Sequence, residues 1–448
     1  MKEGDTMEPV MTTSGLVQGY ELDGANIYRG IPYASTPRFR KPEPYRWEGI
    51  FDATRGELDG YQQKAFLDEG KLFGDTFYYN EFKSPIAYAY SDELVTLNIV
   101  APKEAGNYPV IAFIHGGGFE VGNIAELPYG LTREYARRDV ILVSIGYRLN
   151  IFSLYRGGNY GLHDMAAAVD WIYDNIAAFG GDPKRITLMG QSAGAMSITD
   201  LLYSDRLKGK VFAAITMSGG GMIPRGFSPW TKEQCQGFWD KVMAEAGCKT
   251  DAEMEALPPK ALWEAWDRVK KRERSLQAIM PVIDGEIIPD LPQKVFRARK
   301  ELDVPIMVGV TSQDFIPVIL YEIGLKWGLD NERKGKRPVY GYFFDRTVPG
   351  DRFKAYHGCD LWYLFGQMEK SWRPFEETDY ALAAQMIDCA ANFARTGDPN
   401  GGSLPRWEPI GRKQKGFRLF DGRSDGHILP RKCRFKVWKT MLWDKGPM

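Results

Sequence analysis

Histidine is the scarcest of the chemically versatile residues in this chain, with four in 448 positions. Any general-base chemistry near neutral pH therefore has few candidates to draw on. Cysteine is almost as rare. The five cysteines stand singly at 235, 248, 359, 389 and 433, and the absence of Cys-x-x-Cys spacing excludes zinc-ribbon and thioredoxin-type motifs. Their odd number reads as free thiols in a reducing compartment. Cys235 and Cys248 are the nearest pair, but QGFWDKVMAEAG between them reads as helix and would hold them about 20 Å apart, beyond disulfide reach. No apolar run of about 18 residues is present to span a bilayer. The opening MKEGDTMEPVMTTSG lacks the apolar segment of a secretory signal, so the expected location is cytoplasmic unless a leader has been removed. Charge of one sign is missing as well: 58 basic residues face 58 acidic ones, and no basic stripe favours nucleic acid or an anionic membrane as partner. There is no Pro/Ser-rich linker, repeat or low-complexity stretch. The chain is therefore expected to form one domain over 1–448, although its length alone would allow about three.

What is present is an alternation of short apolar strands and helical patterns. Strands are predicted at Leu94–Val100, Val110–His115, Asp139–Arg148, Lys184–Met189 and Val339–Phe344, with helices at Asp164–Phe179 and Ala193–Tyr203. This order predicts an α/β fold with a mostly parallel sheet flanked by helices. Two stretches interrupt it, at approximately 56–90 and 222–280, and are expected to stand as cap insertions beyond the C-terminal strand ends, where open α/β sheets bind ligands.

Gly190-Gln191-Ser192-Ala193-Gly194 follows the apolar run Ile186–Met189 and opens a helical pattern. A serine between glycines at a strand-to-helix junction is the signature of a nucleophile elbow, whose tight turn needs small flanking residues. With 48 glycines and 16 serines in the chain, about 0.2 such matches arise by chance, so the strand-turn-helix setting carries the argument. His115-Gly116-Gly117-Gly118-Phe119, after another apolar strand, matches an oxyanion loop, with the amides of Gly117, Gly118 and Ala193 as expected donors. In such sites the acid and then the histidine follow the serine in the chain, which leaves His357 and His427. His357, in a loop after Val339–Phe344, is the expected base. His427 reads as a hairpin-turn residue, His115 as a loop-shaping residue held by backbone hydrogen bonds, and His163 as a packing or helix-start residue.

These motifs sit among longer matches: YRGIPYA at 28–34, LNI at 97–99, GYR at 146–148, GNYGLHD at 158–164 and NIAAFGGDP at 175–183. They continue with PVIDGEIIP at 281–289, AYHGCDLWYLFG at 355–366 and NFARTGDPNG at 392–401. Together they resemble the type-B carboxylesterase family of bacterial esterases and cholinesterases, along almost the whole chain. The resemblance implies the α/β-hydrolase fold and a serine carboxylesterase acting through an acyl-enzyme on a small-molecule ester of short acyl chain, with no metal or cofactor. The same machinery would equally serve an amidase or thioesterase, and some relatives are non-catalytic binding or adhesion proteins. The family's acid pattern, Gly-Val-x-x-x-Glu-Gly, corresponds to Gly309–Phe315. Asp314 stands where the glutamate would be, and Phe315 replaces the glycine. A helix N-cap at Asp314 is the alternative role, with Glu322 as the fallback acid. Leu94 stands where relatives often carry a cysteine, and Gln191 replaces the glutamate usual before the nucleophile. Only 43 positions separate Asp314 from His357, which predicts a reduced helical cap and a more open pocket. Phe66, Phe73, Phe77, Tyr78, Tyr79, Trp230, Trp263, Trp266 and Trp362 are candidates for core packing or for lining an apolar pocket.

Overall fold

Residues alternating in side-chain direction along the apolar strands supply two separate cores, one on each face of a single large sheet. The computed structural model describes residues 5–56, 58–62, 76–83, 89–220, 229–274, 279–350, 352–414, 416–423, 426 and 428–430. The strands that organise it are β1 (Ala25–Ser35), β2 (Leu94–Pro102), β3 (Tyr108–Ile114), β4 (Ile141–Ile145) and β5 (Gly181–Gln191). They continue with β6 (Ala213–Met217), β7 (Ile306–Thr311), β8 (Val339–Phe344) and β9 (Gly416–Phe420). Their spatial order is β1-β2-β4-β3-β5-β6-β7-β8-β9 within a 13-stranded sheet. Pairing is antiparallel at β1-β2 and β2-β4 and parallel from β4 through to β9. Every residue of β4, β6, β7 and β8 is buried, as expected of strands covered on both faces.

The helices are α1 (Thr76–Phe82), α2 (Tyr160–Asn175), α3 (Ala193–Leu202), α4 (Lys232–Glu245), α5 (Asp251–Ala256) and α6 (Pro259–Glu273). After them come α7 (Pro317–Lys334), α8 (Asp360–Phe365) and α9 (Glu377–Thr396). Val110, Ala112 and Ile114 of β3 join the core formed with α2, α3 and α7. Ile111 and Phe113, pointing the other way, join the core formed with α8 and α9. The period-2 rule of a strand is thus what divides the helices into two layers.

Of the stretches expected as insertions, the second contributes α4, α5 and α6, which pack through Trp239, Val242, Met254 and Trp266 against Phe119 and Ala193. They stand over the loop and helix that the sequence marks as functional. Trp266 and Trp362 are fully buried and are packing residues. Phe66 and Phe73 lie outside the described residues.

Most predicted boundaries shift by one to four residues, and two of the shifts move residues of interest. The helix predicted from Asp164 begins at Tyr160, after Asn159 in the left-handed region, so His163 lies in its first turn rather than before it. The strand predicted over Asp139–Arg148 is trimmed to Ile141–Ile145. Asp139 has φ 55° and closes a short turn, while Arg148 leaves the sheet to meet Asp164 in a buried ion pair of 2.7 Å.

Candidate active site

The turn from β5 into α3 shows why glycines flank Ser192. A Cβ at Gly190 would lie 2.7 Å from the backbone of Gly194, and one at Gly194 would lie 2.1 Å from the carbonyl oxygen of Ile114. Only glycines let β5, α3 and β3 meet this closely. Ser192 itself takes φ 54° and ψ −120°, a conformation that costs a residue with a side chain about 1–3 kcal/mol. Its amide donates to Met217 O at 2.8 Å and its carbonyl accepts from Met196 N at 3.0 Å, so both neighbours hold the turn. Ala193 begins α3, and an amide in the first helical turn has no acceptor inside its own helix.

The glycine loop follows β3 directly. Tyr147 Oη donates to His115 O at 2.9 Å, and His115 Nδ1 donates to Gly116 O at 2.8 Å. Gly117 O accepts from the amides of Glu120 and Val121. The carbonyls of His115, Gly116 and Gly117 are therefore occupied, whereas the Gly117 and Gly118 amides donate to no backbone acceptor among the described residues. Gly117 has φ 104°, and a Cβ there would fall 1.9 Å from Val121 O, which excludes every other residue type. The loop abuts the elbow: a Cβ at Gly116 would lie 3.1 Å from Ser192 Cβ. His115 has the loop-shaping role expected of it. Its ring stacks on Tyr147 at 4.5 Å, and burial pushes its imidazole down to about 4, which keeps it uncharged at neutral pH.

Asp314 and His357 are brought together by backbone pairing between the loops that carry them. Beyond β7 and β8, Ser312 N donates to Phe344 O at 2.9 Å and Gln313 N to Ala355 O at 3.0 Å. Gln313 and Tyr356 form a parallel bridge, so the next residue on each side, Asp314 and His357, face one another. His357 Nδ1 donates to Asp314 Oδ1 at 2.9 Å. The same oxygen accepts from Phe315 N at 2.8 Å, and Oδ2 accepts from Thr311 Oγ1 at 3.2 Å. The Asp314 side chain is 1% exposed, and α7 starts only at Pro317 with Ile316 as its cap, so the alternative of a surface N-cap is overturned. The paired loops bring the Asp314 carboxylate within hydrogen-bond reach of His357. Glu322 lies on α7, beyond this bridge.

The other ring nitrogen, His357 Nε2, faces Gln191 Nε2 at 3.1 Å. No hydrogen bond joins Ser192 Oγ to His357 among the described residues. Phe315 lies on the imidazole with ring centres 4.4 Å apart, although it is 59% exposed. A protonated histidine there would meet an aromatic face, a favourable arrangement for a cation. The loop carrying His357 is backed by a polar hub at buried Glu81 on α1. The Glu81 carboxylate accepts from Trp362, Trp372 and Arg373, each at 2.9 Å, and from Tyr356 Oη. Asp360, just after the loop, accepts from Tyr342 Oη at 2.8 Å, and burial pushes its carboxyl up to about 6.

The Gln191 contact and the Glu81 hub escaped sequence reasoning. The partners of Glu81 lie 275 to 292 positions away, and no local pattern signals such a pairing. His163 is buried in α2, where its Nε2 lies 3.8 Å from Asp284 Oδ2. His427 lies outside the described residues. Among the described residues, no group of three or more His, Cys, Asp or Glu is placed to hold a metal ion, and no helix is long and apolar enough to cross a membrane.

With this geometry in view, comparison with known proteins is specific. The sequence profile of the carboxylesterase family matches residues 7–324 and 314–435. Bovine carboxylesterase 4A is 26% identical over 97% of this chain and 95% of its own. Gut esterase 1 of Caenorhabditis elegans is 32% identical over 68% of this chain and 53% of its own. A solved carboxylesterase of Geobacillus stearothermophilus superposes with a TM-score of 0.80 at 25% identity, covering 96% of this chain and 100% of that one.

Proposed function

This chain belongs to the carboxylesterase family and is an enzyme that hydrolyses carboxylic esters; from that premise we propose a serine mechanism in which Ser192 is the nucleophile, His357 the general base and Asp314 its acid. The observation that carries the reading is the backbone of Ser192, held at φ 54° on the strand-to-helix turn. Strain of this kind persists where the surroundings impose it, and it clusters at sites of chemistry.

Ser192 Oγ attacks the ester carbonyl while its proton passes to His357 Nε2, and Asp314 steadies the resulting imidazolium through Nδ1. For this step Nε2 must exchange its contact with Gln191 for one with Ser192. Negative charge develops on the former carbonyl oxygen and is met by the amides of Gly117, Gly118 and Ala193, which have no competing backbone acceptors among the described residues. Collapse of the tetrahedral species expels the alcohol, which takes the proton from Nε2. Water then repeats the sequence on the acyl-enzyme, releasing the acid and restoring Ser192. No step is assigned to a metal or an organic cofactor.

The substrate is proposed to be a small ester of short acyl chain reaching a site under a reduced cap. In support, the alignment with the bovine relative runs over 544 positions although this chain has 448 residues, so that relative carries insertions this chain lacks. The free thiols of Cys235, Cys248, Cys359 and Cys389 fit a cytoplasmic setting. Ser192→Ala is expected to lose turnover of p-nitrophenyl esters by at least about 10⁴-fold while its circular dichroism is unchanged. Undiminished turnover in that variant would remove Ser192 from the mechanism. A serine-reactive phosphonate is expected to label the parent at Ser192, which a non-catalytic binding protein would not show.

A further inference from the structure

Gln191 is buried beside Ser192, and its side-chain amide touches His357. We propose that Gln191 is a positioning residue that keeps His357 in its neutral, Nδ1-protonated form in the resting enzyme and thereby extends ester hydrolysis to lower pH. This inference rests on the reading of His357 as the general base.

The geometry leads there step by step. Asp314 Oδ1 accepts from His357 Nδ1, so a neutral ring carries its lone pair on Nε2. Gln191 Nε2 lies 3.1 Å from that atom, and an amide N–H aimed at a lone pair stabilises the neutral ring against its protonated form. Gln191 Oε1 points the other way: a Cβ built on Gly116 would lie 2.6 Å from it. The absence of a side chain at Gly116 is thus what lets the amide take this orientation. Gln191 is itself buried, so water does not substitute freely for it.

The charges around the imidazole make this neutral neighbour consequential. From the β7 loop it meets Asp314, and Phe315 covers one face. On its own loop, Cys359 and Asp360 follow closely, the latter buried and bonded to Tyr342. From α1, Glu81 backs the adjacent Tyr356, but its charge is engaged by Arg373. From the elbow come Ser192 and Gln191, both uncharged. A carboxylate in place of the Gln191 amide would set a second negative charge about 3 Å from the ring, on the side opposite Asp314. An opposite charge at such range shifts a titration by about one to three pH units toward the charged form. The imidazolium cannot accept the Ser192 proton, so the gain in proton affinity is a loss of active enzyme on the acid side.

The test is the titration of His357 followed by NMR, which needs no substrate and is simplified by the presence of only four histidines. It is paired with the pH profile of kcat/KM on a p-nitrophenyl ester. Gln191→Glu is expected to raise the His357 midpoint, and the acid limb of kcat/KM with it, by about one pH unit or more. Gln191→Met, uncharged and of similar length but without the amide donor, is expected to raise both by a measurable step less than half as large, and an unmoved midpoint there overturns the role given to the amide. In the parent, imidazole nitrogen shifts are expected to report a proton on Nδ1 and none on Nε2 at neutral pH. Coincident midpoints in the parent and Gln191→Glu overturn the proposal, as does a shift in Gln191→Met equal to that in Gln191→Glu, or an Nε2-protonated parent. An inactive parent whose His357 midpoint still responds to Gln191→Glu would instead count against the esterase mechanism, leaving the role of Gln191 in setting the titration intact.

Discussion

At Ser192 the chain trades stability for the placement of one hydroxyl. The residue is held at φ 54° and ψ −120°, where glycine is at ease and any side chain is strained. Ser192→Gly is therefore expected to gain about 1 kcal/mol in urea unfolding, the relief of strain exceeding glycine's extra entropy loss, and to lose ester turnover. A glycine variant less stable than its parent would show that the turn is not under strain. Asp314 illustrates a different economy: its short side chain reaches His357 because Gln313 and Tyr356 are paired beside it.

Among the elements, α3 carries both the Ser192 turn and a buried acid. Asp200 lies within it, and burial, reinforced by the nearby Asp284, pushes its carboxyl up to about 8. An unfolded aspartate releases its proton near pH 4. Between about pH 4 and pH 8 the folded chain therefore holds a proton that the unfolded chain has lost, and this contribution to stability drains away as pH rises through that window. Asp200→Asn, which cannot ionise, is expected to flatten the decline. Its thermal midpoint, compared with the parent at pH 5 and pH 9, should show an advantage that widens toward pH 9. An equal offset at both pH values would mean that Asp200 is ionised in the fold already at pH 5. Helices α4 and α6 show how an element outside the sheet is tied to the elbow and the glycine loop, since Trp239 and Trp266 share one apolar cluster with Phe119 and Ala193.

For the whole molecule, the parallel sheet gathers at one edge what the sequence spreads across more than two hundred positions. The glycine loop leaves β3, Ser192 leaves β5, Asp314 follows β7 and His357 follows β8, all at C-terminal strand ends. Cohesion comes from the two cores on the faces of this sheet rather than from covalent cross-links, because Cys235, Cys248, Cys359 and Cys389 are free. The thermal midpoint is accordingly expected to be the same with and without dithiothreitol. A drop of several degrees in reductant would reveal a stabilising disulfide.

The amino-acid sequence by itself determined the layered α/β architecture, the elbow at Ser192 and the glycine loop. Each of these is a local matter of hydrophobic period, turn sterics and backbone freedom over a few residues. It also singled out His357, because histidine is so scarce that chain order left few choices. The role of Asp314 was less legible: only pairing between the β7 and β8 loops distinguishes a buried acid facing a histidine from an aspartate capping a helix. The Gln191 amide on His357 Nε2, the Phe315 ring on its face and the Glu81 hub behind its loop were decided by tertiary structure alone. Contacts between side chains far apart in sequence depend on how strands and helices are set against one another, and no periodicity within a single segment encodes them.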